Sequence, residues 1–160
     1  MRSTTSRRTS AARDGGAADV TPDEVSGRPA RPARRRGFAS GSPYEPVIGF
    51  SRAVRIDDRI LVSGTGPVWP DGSCPDDAET QARRCLEIIV TALAQAGATA
   101  ADVVRTRMFL TTAADADAVG RVHGEVFGRV RPAATMVVVA GLLDPRWRVE
   151  IEAEAVLGAR

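Results

Sequence analysis

The chain has 160 residues, 43% of them hydrophobic and 26% charged, with 22 Lys plus Arg, 20 Asp plus Glu and one His. That is room for one ordinary domain with its own core. Two cysteines, Cys74 and Cys85, and a lone histidine exclude a disulfide framework and a Cys/His metal centre, and no run approaches the roughly 18 apolar residues that cross a bilayer.

Charge divides the chain. Residues 1–40 hold nine Arg against four acids, and the remaining 120 hold thirteen Arg against sixteen acids. The domain is therefore mildly acidic, and no nucleic-acid partner is expected from the overall pI. Every basic residue is Arg, a bias ascribed to genome composition. Residues 1–40 carry almost no large apolar side chain apart from Val20, Val25 and Phe38, so they are expected to form a disordered Arg-rich tail, with the domain over 41–160. The Arg34-Arg35-Arg36 cluster reads as solvated. Four acids and no amphipathic stripe count against a transit peptide, and no apolar signal region precedes the domain. A reduced, cytoplasmic setting and no membrane partner are expected.

Val47 to Ile56 and Arg59 to Thr65 read as two strands joined by a polar turn at Asp57-Asp58. The second ends in Ser63-Gly64-Thr65-Gly66-Pro67, where glycines let backbone amides approach a ligand, but no phosphate loop with its Lys is present. Asp77 to Ala96 is the clearest helix: Ala82, Cys85, Leu86, Ile89, Leu93 and Ala96 form one apolar stripe, stopped by Gly97. Val103 to Leu110 is a third strand whose helix-facing side the pattern leaves open. Asp115 to Phe127 is a shorter helix ended by Gly128, and its apolar side includes His123, read as a packing or subunit-contact residue ahead of a catalytic one.

Pro132 to Val156 holds two Val- and Ile-rich runs around a connector with Gly141, Asp144 and Pro145. In the second run Val149, Ile151, Ala153 and Ala155 alternate with Arg148, Glu150, Glu152 and Glu154. One face is built for a core, and any function lies on the other. The order strand, strand, helix, strand, helix, strand, strand predicts an α+β sandwich of two layers, a mixed sheet with two helices on one face. The bare face, mixing Glu150 and Arg148 with Met136 and Val138, predicts burial against partner subunits.

GFSRAVRIDDRILVSGTGPV, QARRCLEIIVTALAQAGATAADVVRTRMFL, PAATMVVVA and VEIEAEAV resemble the Rid (reactive intermediate deaminase) or YjgF family, over about Tyr44 to Val156. The resemblance implies a homotrimer of chorismate-mutase-like α+β subunits, sheets inside and helices outside, with three small-molecule clefts between subunits. The best-known members hydrolyse 2-imino acids released by pyridoxal-phosphate enzymes to 2-keto acids and ammonia, with no cofactor of their own.

Carried onto this chain, the family's water-activating Glu corresponds to Glu150 and its Ser-Gly to Ser63-Gly64. Its Tyr falls at Phe50, which lacks the hydroxyl, and its Asn at Gly120. The Arg that holds the substrate carboxylate falls at Ala134, beside Thr135 and Met136, so an apolar wall replaces a bidentate cation. Arg107 and Arg148 are the candidate replacement cations, against the reading that each forms a surface ion pair, with Glu150 itself as one partner. Two functions follow: a Rid-like hydrolase of imines, enamines or related derivatives, with Glu150 orienting water and an apolar pocket from Phe50, Ala134 and Met136; or a trimeric ligand-binding or stress-protective protein without turnover.

Overall fold

A computed structural model describes residues 34–158. The expected tail over 1–33 lies outside the described residues. Six strands form one sheet: β1 (Arg35–Phe38), β2 (Ala53–Ile56), β3 (Arg59–Thr65), β4 (Val103–Leu110), β5 (Ala133–Val138) and β6 (Val149–Val156). Three helices accompany them: α1 (Tyr44–Ile48), α2 (Ala78–Gln95) and α3 (Ala116–Phe127). The strand order is β1-β2-β3-β6-β4-β5. All neighbours are antiparallel except β4 and β5, whose parallel pairing needs the long crossover that α3 supplies. This is the mixed-sheet α+β fold expected from the sequence.

β6 is the spine. Its strict alternation buries Val149, Ile151, Ala153 and Ala155 against the helix layer. Onto them pack Ala82, Cys85, Leu86, Ile89 and Leu93 of α2 and Val119, Val122 and Phe127 of α3, each at most 1% exposed. Asp77 caps α2, its side chain accepting from the Thr80 amide at 3.0 Å.

Two sequence expectations are corrected, and the side of β4 that the pattern leaves open is resolved. Residues 35–38, assigned to the tail, form the edge strand β1, because any backbone can extend a ladder and Phe38 anchors it, buried and covered by the Arg36 guanidinium at 4.7 Å. The strand expected over Val47–Ile56 is only Ala53–Ile56. The half before it is drawn into the one-turn helix α1, where Glu45 accepts from the Ser40 amide and hydroxyl at 2.8 and 2.7 Å and Gly49, with φ of 83°, ends the turn. In β4 the register shifts between Val103 and Arg105, so Val103 is buried while Val104 turns out; Thr106, Met108 and Leu110 then face the helices.

Gln81, fully buried on α2, ties the connector before β6 to the helix layer. Its Nε2 donates to the carbonyls of Pro75 (2.8 Å) and Arg146 (2.9 Å), and its Oε1 accepts from the Arg148 amide at 2.7 Å. Gln81→Met keeps the volume and strands all three backbone groups. Denaturant titration is expected to read a loss of about 1–3 kcal/mol. Among the described residues no helix is long and apolar enough to cross a membrane.

Candidate functional site on the open face of the sheet

The face of β6 turned away from the helices carries Glu150, Glu152 and Glu154, level with Phe109, Arg107 and Arg105 of β4. Two of the three carboxylates are neutralised in place. Arg59 pairs with Glu154 at 2.6 Å, while Arg107 pairs with Glu152 and approaches Glu154 at 3.7 Å. Arg107, Glu152 and Glu154, with Leu61 and Ser63, line a shallow groove of about 450 Å³. Glu150 lies outside that lining.

Glu150 is set apart by its surroundings. Its β4 neighbour is Phe109, and among the described residues no side chain forms an ion pair with it. Burial pushes its carboxyl above the usual value, Arg52 opposes the rise and Glu152 adds to it. The carboxylate lies directly over Gly64, where an added Cβ would fall 2.2 Å from Oε1. A side chain at position 64 would therefore push the Glu150 carboxylate off this seat.

That position comes from a bulge. Val62 pairs with Ala153 and Thr65 with Ile151, so Ser63 and Gly64 together oppose Glu152 alone. The bulge turns carbonyls out of the ladder, and Arg52 collects them: its Nη1 donates to Gly64 O and Thr65 Oγ1, both at 2.9 Å, with Ser63 O at 3.5 Å. The Ser63 hydroxyl is committed to the Ser51 carbonyl at 2.8 Å. Phe50 lies beneath Arg52, its ring centroid 5.8 Å from the guanidinium.

The remaining candidates sit elsewhere. Arg148 does not reach Glu150; Asp115, at the start of α3, holds it at 2.9 and 3.0 Å and Asp76 at 3.1 Å, because carboxylates at the head of both long helices lie closer than the open face. Arg107 pairs with Glu152 rather than with Glu150. Ala134 and Thr135 are exposed on the edge strand β5, level with Thr106 and Arg107. Met136, level with Met108, packs against the helix-side core, so within one protomer it does not join Phe50 in an apolar wall. His123 packs on Phe127, ring centroids 4.9 Å apart, with Nε2 2.9 Å from Thr106 Oγ1. It occupies the helix side of the sheet, opposite Glu150, and burial pushes its pKa down. Arg52 escaped sequence reasoning. Its only signal was a cation inside a run expected to alternate as a strand.

A mixed six-stranded sheet backed by helices, with a carboxylate seated over a glycine bulge, defines a two-layer α+β protein with one chemically distinct face. A family model described as endoribonuclease L-PSP matches residues 41–157. An uncharacterized protein of Streptomyces coelicolor is 42% identical over 125 residues, 78% of this chain and 93% of that one. The 3-aminoacrylate deaminase RutC of Acinetobacter baylyi is 34% identical over 117 residues, 72% of this chain and 91% of that one. The crystal structure of Rv2704 of Mycobacterium tuberculosis, a member of the YjgF/YER057c/UK114 family, aligns with a TM-score of 0.72 and 44% identity over 78% of this chain and all of that one. The chain belongs to this endoribonuclease L-PSP family, the YjgF or Rid family.

Proposed function

We propose that the protein hydrolyses small imines or enamines, with Glu150 orienting and deprotonating the attacking water. The observation that carries this reading is the half-buried Glu150 carboxylate, without an ion-pair partner among the described residues, held over the Gly64 bulge while Glu152 and Glu154 are neutralised by arginines. The deaminase name of RutC supports the reaction class.

In the reaction, water adds to the C=N carbon of the iminium, already protonated at nitrogen, and one of the water's protons passes to Glu150, which gives the neutral carbinolamine. Glu150 then returns its proton to that nitrogen, the C–N bond breaks as the carbinolamine hydroxyl gives its own proton to Glu150 and from there to solvent, and carbonyl product and ammonia leave; one water is consumed and no electrons are exchanged. A carboxyl raised toward neutrality suits both transfers, since it must accept and then release the same proton. Ala134 supplies no cation for a substrate carboxylate, so imines lacking one are the preferred substrate class.

The open sheet face carries half-exposed Leu61, Phe109 and Val137 between its charges, and we place the cleft where a second copy covers it, in a homotrimer. Sedimentation equilibrium is expected to return three times the 16.9 kDa chain mass; a stable single protomer would remove the shared cleft. Imines without a carboxylate, made in place by an amine oxidase, test the chemistry. Carbonyl release faster than the buffer rate, and lost in Glu150→Gln, supports it, whereas release equal in both proteins removes Glu150 as the catalytic residue. Bound ligand without turnover would favour the non-catalytic binding reading, for which the missing cation at Ala134 speaks.

A further inference from the structure

We infer that Arg52 is the positioning residue of this site: it locks the Ser63-Gly64 bulge that seats Glu150 and supplies the positive charge that keeps the carboxylate ionisable. The inference rests on the reading of Glu150 as the water-orienting group.

The geometry is unusual for an arginine. Arg52 is half-buried beneath the open face and spends one nitrogen on three acceptors, Gly64 O, Thr65 Oγ1 and Ser63 O, all on the bulged segment. The backbone closes the same contact, since the Ser63 amide donates to Arg52 O at 3.0 Å. Its Nε is buried without a hydrogen-bond partner among the described residues. A buried unpaired donor is destabilising, and the contacts that Nη1 makes to the bulged segment offset it. What the guanidinium adds is a fixed bulge and a charge.

Glu45 backs it. Burial works to raise the Glu45 carboxyl, but the Ser40 amide and hydroxyl and the Gly41 amide outweigh it and hold Glu45 below the usual range, so it stays ionised toward Arg52. The charges facing Glu150 are Arg52 from the segment before β2, Glu152 from β6 and the Cys85 thiol from α2. Arg52 alone is positive. Removing it leaves Glu150 facing a carboxylate and a neutral thiol, which drives its protonation upward.

The test is carboxyl NMR of selectively labelled protein, in the wild type, Arg52→Lys and Arg52→Gln. In Arg52→Gln the Glu150 titration midpoint is expected to rise by about one unit. In Arg52→Lys it stays near the wild-type value, because the charge is kept, while the Gly64 amide resonance moves, because the shorter lysine stem cannot bring its ammonium to the position that Nη1 holds between the bulge acceptors. Turnover should fall about tenfold in kcat with KM less affected in Arg52→Lys, as for a mispositioned rather than a missing group. A midpoint unchanged in Arg52→Gln overturns the electrostatic role, and an unmoved Gly64 resonance in Arg52→Lys overturns the positioning role. If Arg52→Gln does not fold, Arg52→Lys decides through the Gly64 resonance and the kcat-against-KM split. Wild-type protein without turnover would sink the hydrolase reading and leave both NMR outcomes interpretable.

Discussion

Glu150→Gln is expected to lower imine turnover by about 100- to 10,000-fold while leaving the fold intact. The amide is isosteric, so the seat over Gly64 remains filled, but it neither takes the proton from water nor returns it to nitrogen. Stability should move the other way. The folded carboxyl titrates above its ordinary 4.5, so between the unfolded and folded values the native state binds more protons; the associated stability is present at low pH and is lost as pH rises through the folded value. At neutral pH the wild type therefore carries a disfavoured half-buried charge that glutamine lacks, and thermal melts should find the variant at least as stable. The same titration fixes the rate profile: wild-type kcat/KM falls on acidification from a midpoint above 4.5, and the variant shows no such limb. A variant that keeps wild-type kcat would assign the proton transfers elsewhere.

Phe127→Ala carries the largest expected stability loss, about 3–5 kcal/mol by denaturant unfolding. Phe127 is 1% exposed at the end of α3, where the helix meets the sheet, and its ring supports the His123 imidazole that reaches Thr106 on β4. Truncation opens a cavity that neither α2 nor the sheet can close, and it frees the histidine from its packing. Glu150 lies on the opposite side of β4 and β6, so turnover by the residual folded fraction should change little. A loss under about 1 kcal/mol would mean that the helix layer collapses onto the gap.

Much of this was readable beforehand, for physical reasons. Alternation in β6 has a period of two and a single outcome, so Glu150, Glu152 and Glu154 could be placed on one face before any coordinates. The stripe of α2 and its Asp77 and Gly97 boundaries are equally local. Long-range competition decided what was missed. Arg148 belongs to the run of β6 by spacing, yet Asp115 and Asp76, 33 and 72 residues away, capture it. Arg52 was overlooked because two of its three acceptors are carbonyls exposed by the bulge, which no side-chain pattern records. Met136 was assigned a face from β5 alone, whereas its parallel register with Met108 decides it.

Among the described residues, the strand that closes the sheet is the last of the six in sequence order. β3 and β4 have no ladder between them until residues 149–156 arrive, so during synthesis the nascent domain exposes two unmated edges for most of its length. Closure of the sheet is thus deferred until β6 has been synthesised. A stop codon placed just before Val149 removes the middle of the sheet, and the truncated product is expected in inclusion bodies rather than in the supernatant.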